Sequence, residues 1–268
     1  MMLKNFLRKI INKKLFQYFC INLIRKNIIP KKFKNLITLD GFYKIYKSDI
    51  KIFNDRFDAV SRDLCIFGIP KKEMIIFKKF LLEIKYADSF LDIGAGVGLY
   101  SLFARKNNPM VHICSVEANP FIYKKLLKNL QNNNNLDVLT LNKAVTNNVG
   151  NIEFYIPTGD DFSYATFYKD ILNEKNIPFT SVIVPSTDLK EEIKIGFDVI
   201  KIDVEGAELE VLEGIEDKLK KCKFLFIEIT NKNKNEAFEL LKKLSFDVII
   251  DSDEYVGNYV FENSGASS

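Results

Sequence analysis

With 268 residues, 47% hydrophobic and 28% charged, the chain has room for one α/β domain of ordinary size and an appendage, but not for two complete catalytic domains. Its four cysteines, Cys20, Cys65, Cys114 and Cys222, are dispersed and form no CxxC pair, which excludes a zinc ribbon and argues against a disulfide scaffold. The net charge of +4 is unevenly distributed, because residues 1–39 hold ten Lys or Arg and no Asp or Glu.

Residues 1–39 predict a basic, amphipathic N-terminal arm. Its apolar side chains recur at spacings of three and four, which is typical of one stripe of a helix that ends by Pro30. The members of this stripe are Leu3, Phe6, Leu7, Ile10, Ile11, Leu15, Phe16 and Phe19. The stripe favours either packing on the catalytic domain or peripheral contact with an anionic membrane through residues 1–29. Nucleic acid is a weaker partner, because the aromatic residues follow the stripe and do not alternate with basic residues.

Targeting signals are weak in this sequence. No run of 18 apolar residues is found, so a spanning helix is not expected, and the apolar stretch 16–24 is not followed by the small residues of a cleavage site. We therefore expect a cytoplasmic protein, either free or peripheral at the inner face of the membrane.

Three further segments follow the arm. Residues 40–86 indicate a short strand pair followed by a helix, and they are a candidate cap over the acceptor. From 87 to 262, apolar runs alternate with helical stretches, which predicts a parallel sheet covered on both faces. The last two runs, FDVII and NYVFE, predict an antiparallel hairpin at the sheet edge. Residues 263–268 are a polar, flexible tail.

The first chemical motif is the glycine-rich turn at 94–98. It follows the apolar strand SFLDI and precedes a helical stretch, so its backbone N–H groups can approach a ligand at the edge of the sheet. A dinucleotide fingerprint has a third glycine where this chain has Leu99. Asp92, at the strand end, suits a ligand with an ammonium group and would repel a diphosphate. The motif therefore favours S-adenosylmethionine over NAD.

A second acid supports the same ligand. Glu117 ends the next strand, where a carboxylate accepts hydrogen bonds from both ribose hydroxyls. The expected cofactor-binding residues are Asp92, Gly94, Ala95, Gly96, Gly98, Glu117, Ala118, Asn119, Ala144 and Asp203. The long polar loop at 159–166 is expected either to contact adenine or the acceptor, or to be a plain connection.

From these motifs onward the chain resembles the FkbM family of S-adenosylmethionine-dependent methyltransferases. The resemblance covers about residues 88–262 and rests on FLDIGAGVGLYSLFA, VEANP, STDL, FDVIKIDVEGAELEVLEG and FIEI. The most specific block contains Asp203, Glu205, Gly206 and Glu208. The resemblance implies a doubly wound, mostly parallel, seven-stranded Rossmann-like sheet of class I. It also implies O-methylation of a hydroxyl of a sugar, glycan precursor or similar small metabolite.

Lys201 and Asp203 are the strongest catalytic candidates in the residues themselves. They share one face of the strand FDVIKIDVE and lie near the edge that carries the glycine turn. Burying these charged side chains is unfavourable unless they pair with an opposite charge or contact a ligand. A structural ion pair of Lys201 with Asp203 or Glu228 is therefore an alternative to a catalytic role. For Glu208, which opens the next helix, an ordinary first-turn role is as good an interpretation as a catalytic one.

Transfer of a methyl group to an alcohol requires alignment and the removal of a proton. His112 opens the second strand, at the end away from the cofactor, so it is disfavoured as the base. Asp203 is the first choice and Glu205 the second. Mg²⁺ held by Asp203, Glu205 and Glu228 is an alternative that the chemistry does not require, and no metal site is predicted.

Two other functions remain alternatives. An NAD(P)-dependent oxidoreductase on the same sheet is disfavoured by Leu99, by Asp92 and by the lack of a Tyr-x-x-x-Lys pair downstream of the glycine turn. A noncatalytic binding module would show degenerate glycines or a lost Glu117, and neither is seen. The oligomeric state is not predicted.

Overall fold

A computed structural model describes residues 14–55, 58–158, 165–251 and 256–266 of the chain. The chain forms two compact units, of which the first reaches Pro70 and the second begins at Lys71. No helix in these ranges is both long enough and apolar enough to cross a bilayer.

The first unit consists of short elements around a small core. In chain order they are α1 (Lys14–Arg25), a 3-10 helix (Lys31–Leu36), β1 (Gly41–Lys44), β2 (Lys51–Asn54) and α2 (Ala59–Phe67). β1 and β2 form an antiparallel pair, as the sequence predicts for this segment. The Asp58 side chain caps α2 by accepting a hydrogen bond from the backbone of Ser61.

The buried face of α1 differs from the predicted stripe. Cys20, Ile21 and Ile24 are buried, whereas Phe16 and Phe19 are exposed, so these two stripe residues do not pack in the core and their contact with a membrane stays a prediction. The reason is polar: the buried side chain of Gln17 donates to the carbonyl of Thr38, and it accepts a hydrogen bond from the hydroxyl of Tyr43. These bonds turn Gln17 inward and the two phenylalanines outward. The stripe residues before Lys14 lie outside the described part of the chain.

The second unit alternates strands and helices. Its helices are α3 (Met74–Ile84), α4 (Leu99–Asn107), α5 (Pro120–Asn132), α6 (Lys169–Glu174), α7 (Glu208–Gly214), α8 (Glu216–Leu219) and α9 (Lys234–Lys243). Its strands are β3 (Ser89–Ile93), β4 (His112–Val116), β5 (Leu139–Leu141), β6 (Ala144–Val145), β7 (Gly150–Pro157), β8 (Phe179–Thr187), β9 (Val199–Ile202), β10 (Phe224–Thr230), β11 (Phe246–Asp251) and β12 (Val256–Asn263).

Seven of these strands form the central sheet, in the order β11-β12-β10-β9-β3-β4-β5. The pairs from β10 to β5 are parallel, and β12 pairs antiparallel with both β10 and β11. This arrangement confirms the predicted mostly parallel sheet with an antiparallel hairpin at one edge. Because side chains alternate along a strand, Phe90 and Phe226 point to one face while Leu91 and Leu225 enter the main core on the other.

Helix α3 belongs with this sheet. The sequence of residues 40–86 predicts one helix, but this segment has two, α2 and α3, and α3 lies in the second unit. The cause is hydrophobic packing: the buried ring of Phe80 contacts the rings of Phe90 on β3 and Phe226 on β10.

The apolar run DVLTLNKAV is interrupted in the structure. β5 completes the central sheet, whereas β6 joins β8 and β7 in a separate three-stranded sheet. Asn142 lies between them, and its amide nitrogen donates to the carbonyls of Glu117 and Ala118. The Asn142 side chain thus holds the segment between β5 and β6 against the end of β4, where Glu117, the predicted ribose-binding residue, lies.

Candidate functional site

The glycine turn touches the end of the neighbouring strand. The backbone N–H of Asp203 donates to the carbonyl of Ile93, which directly precedes Gly94. A Cβ added at Gly94 would lie 1.9 Å from the carbonyl oxygen of Asp203, and the φ of Gly94 is +71°. Only glycine fits this contact, because any side chain would collide with a backbone atom. The two motifs are therefore held together at one edge of the sheet.

Gly96, unlike Gly94, faces open space. A Cβ added there would meet nothing within 4 Å, although the φ of Gly96 is +57°. The turn around it is fixed by its flanks, since Gly94 and Ala95 both donate to the carbonyl of Val116 and the Asn129 side chain donates to the carbonyl of Val97. The turn is thus an ordered cradle that faces open space, as a ligand-binding turn requires.

Glu117 lies beside this cradle. One carboxylate oxygen accepts from the backbone of Gly96 at 2.8 Å, and the other accepts from the backbone of Asn119 at 2.8 Å. Burial raises the pKa of Glu117 to about 7, against the effect of the two backbone bonds. Each carboxylate oxygen can accept a second hydrogen bond, so two ribose hydroxyls match the remaining capacity.

Asp92 has different surroundings from those expected. Its side chain is buried beneath the turn, where one oxygen accepts from the hydroxyl of Ser101 at 2.6 Å. Among the described residues the other oxygen has no hydrogen-bond partner. Burial raises the pKa of Asp92, although the nearby charge of Lys201 opposes the shift. A direct contact with a ligand's ammonium group is thus not supported by the position of Asp92, because helix α4 covers the carboxylate.

Three more cofactor-binding candidates, Asn119, Ala118 and Ala144, have structural contacts within the second unit. Asn119 caps α5, since its side-chain oxygen accepts from the backbone of Phe121 and Ile122. Ala144 is buried in the small cluster of the second sheet, and Ala118 packs against that cluster. All three position the chain that follows β4, and whether their backbones contact a cofactor stays a prediction.

Lys201 and Asp203 form the ion pair that the sequence left open. The ammonium of Lys201 lies 2.9 Å from a carboxylate oxygen of Asp203 and 4.6 Å from the centre of the Tyr100 ring. Burial lowers the pKa of Lys201, but the carboxylates of Asp203 and Asp92 outweigh burial and raise it above its ordinary value. The ion pair and the raised pKa favour an electrostatic role for Lys201 over the role of a proton acceptor.

A cleft opens on the same face of the sheet. It holds about 400 Å³ of space, counting its open mouth. Its polar lining comes from one helix, three strands and two residues that flank such elements. The residues are Tyr100 on α4, Lys201 on β9, Glu228 on β10, Asn258 on β12, Glu73 just before α3 and Asp203 just after β9. Lys201 and Phe226 are register partners, so alternation places Glu228 two residues beyond Phe226 on the same face as Lys201. Glu73, Tyr100 and Asn258 are not among the site residues predicted from the sequence, and Glu228 is predicted there only as an ion-pair partner or metal ligand.

Two carboxyls near Asp203 titrate close to neutrality. Burial raises the pKa of Glu228 to about 7, and the negative charge of Asp203 adds to this effect. Burial raises the pKa of Glu205 to about 8, again helped by Asp203 and by Glu228. Groups with such values are suited to exchange protons at physiological pH.

Glu208 fixes the loop between β9 and α7. Its buried carboxylate accepts from the backbones of Gly206 and Thr230 and from the side chain of Asn233. The same Asn233 donates to the carbonyl of Gly206. These bonds hold the loop that carries Glu205, which favours the structural interpretation of Glu208.

The polar loop at 159–166 is described only in part. Residues 159–164 lie outside the described residues, so the prediction of adenine or acceptor contacts there stays open. Thr166 contacts the loop between β9 and α7, since its hydroxyl donates to the carbonyl of Glu205 at 2.8 Å. His112 is exposed at the start of β4, as expected for a residue far from the carboxyl edge.

The carboxylates are not gathered as a metal site. Within the described ranges, no three His, Cys, Asp or Glu side chains are placed to hold one metal ion. The alternative of Mg²⁺ on Asp203, Glu205 and Glu228 is thus unsupported by this geometry. Asp203 instead has the ammonium of Lys201 as its counter-ion.

Comparison with known proteins decides the family. The sequence model described as the methyltransferase FkbM domain matches residues 92–251, more than half of the chain. The chain belongs to the FkbM methyltransferase family. This finding confirms the predicted resemblance.

Individual relatives are distant. The methyltransferase sdnD of Sordaria araneosa is 26% identical over 156 residues, which are 48% of this chain and 60% of that protein. The chain thus spans less than two thirds of that relative's length. A methyltransferase FkbM structure from Methylobacillus flagellatus KT is 14% identical with a TM-score of 0.47, covering 65% of this chain and 43% of that one. M. jannaschii TYW2 in complex with AdoMet is 12% identical with a TM-score of 0.47, covering 84% and 88%.

Two glycine variants test the cradle. Gly94→Ala and Gly96→Ala share the penalty of a side chain at positive φ, about 1–2 kcal/mol. Only Gly94→Ala adds a clash with Asp203, so we expect its thermal unfolding temperature to fall several degrees further than that of Gly96→Ala. Gly96→Ala should fold but bind S-adenosylhomocysteine about tenfold more weakly or worse, because its methyl group enters the ligand space. Calorimetric titration measures this loss, and wild-type affinity in Gly96→Ala would contradict the cradle.

Proposed function

We propose that this FkbM-family chain transfers the methyl group of S-adenosylmethionine to a hydroxyl oxygen of a sugar, glycan precursor or similar small metabolite. The observation that carries the proposal is the contact between the glycine turn and the end of β9. Asp203 touches the turn that Glu117 bonds to, and it also lines the cleft together with Lys201 and Glu228. A donor and an acceptor bound in these two places would meet at Asp203.

The donor side is suited to a nucleoside. Glu117 would accept hydrogen bonds from the ribose hydroxyls, and the turn at Gly96 leaves room for close approach of the ligand. When bound, S-adenosylmethionine supplies an electrophilic methyl group on a sulfonium. The carboxylate of Asp203, on the neighbouring strand end, offers a negative charge near that cation. Lys201 keeps Asp203 in place, because its own ammonium is held between Asp203 and the Tyr100 ring.

The acceptor side must orient an alcohol and remove its proton. Asp203 and Glu228 both line the cleft, so either carboxylate can accept a hydrogen bond from a hydroxyl placed there. Glu228 is the better proton acceptor, since its pKa of about 7 is matched to neutral conditions. We assign proton removal to Glu228 and orientation to Asp203. The hydroxyl proton would pass to Glu228, and the alcohol oxygen would receive the methyl group that bound S-adenosylmethionine supplies, with S-adenosylhomocysteine as the second product.

The charge of the cleft supports a neutral acceptor. Among the residues that line the cleft, the acidic ones are Glu73, Asp203 and Glu228 and the basic one is Lys201, while the positive charge of Lys72 also acts on Glu228. An acceptor with a phosphate or carboxylate beside its reacting group would be repelled. Hydroxyl groups satisfy carboxylates as hydrogen-bond donors, and the Tyr100 and Phe226 rings provide apolar surface for the carbon skeleton of a sugar.

Transfer of labelled methyl groups tests the reaction. The chain is incubated with methyl-labelled S-adenosylmethionine and separate pools of free sugars, sugar phosphates and carboxylic acids. We expect label in the free sugars, in a form that survives alkaline hydrolysis as an ether does. Label released as methanol would indicate a methyl ester, and label in the phosphates alone would contradict the neutral cleft.

The pH dependence tests the base. With Glu228 as base, kcat/KM rises as pH approaches about 7 and levels off above it, because only the ionised carboxylate accepts the proton. Glu228→Gln should abolish this rise and lower turnover about a hundredfold or more. Glu205→Gln is the matched control and should keep the rise.

Asp203→Asn separates orientation from proton removal. It should keep affinity for S-adenosylhomocysteine within about tenfold and lower turnover, yet retain a rise with pH that is shifted to lower pH, because the charge of Asp203 no longer raises the pKa of Glu228. A rise that disappears in Asp203→Asn and persists in Glu228→Gln would make Asp203 the base and overturn our assignment.

A further inference from the structure

Helix α1 is fixed on its own unit by its inner face. Besides the bonds of Gln17, the guanidinium of Arg25 donates to the carbonyls of Cys65 and Ile66 and stacks on the Tyr46 ring at 4.2 Å. Buried Ile21 and Ile24 complete this face. The helix cannot rotate about its axis without breaking polar bonds at both ends, so its outer face has a defined orientation.

That outer face is apolar where a solvated helix would be polar. Phe16 and Phe19 are 39% and 56% exposed, and their rings are 6.1 Å apart. Ile28 and Phe33, which follow the helix, are also exposed. Tyr18 on the same helix and Val60 on α2 are the other large hydrophobic residues with such exposure in the described part of the first unit. We call residues 16–33 the apolar–basic segment. Clusters of exposed apolar side chains of this kind mark interaction sites.

The charge of this segment is entirely positive. Residues 16–33 hold four Lys or Arg and no Asp or Glu, and Lys14 and Lys34 flank them. Arg25 is engaged within the unit, and so is Lys34, which pairs with Asp63. Lys26, Lys31 and Lys32 are exposed, and the Lys32 ammonium lies over the Phe33 ring. Exposed aromatic rings beside exposed ammonium groups are the combination that suits the headgroup region of an anionic bilayer.

We propose that the apolar–basic segment docks this chain on an anionic lipid surface. The phenylalanines would enter the headgroup layer, and Lys26, Lys31 and Lys32 would face lipid phosphates. A second copy of the chain is a poorer occupant, because the same positive segment would meet itself. The proposal is independent of the methyl-transfer reaction, since it concerns a different part of the chain.

Vesicle co-sedimentation of the full chain tests this proposal. The probes are vesicles of phosphatidylcholine alone and of phosphatidylcholine mixed with phosphatidylglycerol. We expect binding to the mixed vesicles only, weakened by added salt. Phe16→Ser with Phe19→Ser should reduce binding about tenfold or more while the thermal unfolding temperature stays unchanged, because neither ring is in the core. The matched control, Met110→Ser with Leu136→Ser, removes two exposed apolar side chains from the second unit and should bind normally.

A charge pair completes the test. Lys26→Ser with Lys32→Ser should weaken binding to the mixed vesicles, whereas Lys242→Ser with Lys243→Ser, at the exposed end of α9, should not. Equal binding by the phenylalanine variant and the wild type would overturn the proposal. Failure of the wild type to bind mixed vesicles would also overturn it. The same holds if the wild type binds single-stranded RNA instead of vesicles and the phenylalanine variant loses that RNA binding.

Discussion

The parallel pairing of β3 and β9 is the constraint on which the site depends. It ends both strands at the same edge, where the backbone of Asp203 bonds to Ile93 and its carbonyl packs against Gly94. Two motifs more than a hundred residues apart thereby become one surface. Gly94 cannot move relative to Asp203 without breaking the sheet, so the two keep a fixed distance, which the proposed in-line methyl transfer would require.

A single buried cation organises the charges around this edge. Lys201 lies among the carboxylates of Asp92 and Asp203 and the ring of Tyr100. Burying an ammonium is unfavourable by itself, so the pair with Asp203 offsets a desolvation cost instead of adding simple stability. Asp203 is held by its counter-ion, and its negative charge adds to the burial that raises the pKa of Glu228 to about 7 and that of Glu205 to about 8.

Periodicity predicts the sheet, the glycine turn and the shared face of Lys201 and Asp203, because each follows from local sequence. What it misses depends on partners distant in the chain. Ser101 and α4 bury Asp92, and the register of β10 against β9 brings Glu228 beside Lys201. In α1, hydrogen bonds from Gln17 outweigh the apolar preference of two phenylalanines. Such tertiary contacts are not encoded in the spacing of apolar residues.

Calorimetry on the wild type and Glu117→Ala tests the central claim most directly, namely that the cradle beside β9 binds a sulfonium nucleoside. The titrants are S-adenosylhomocysteine, S-adenosylmethionine and NADH. Our account predicts binding of both sulfur nucleosides, strong weakening of both in Glu117→Ala, and no binding of NADH. Binding of NADH without the sulfur nucleosides, or full affinity in Glu117→Ala, would contradict it.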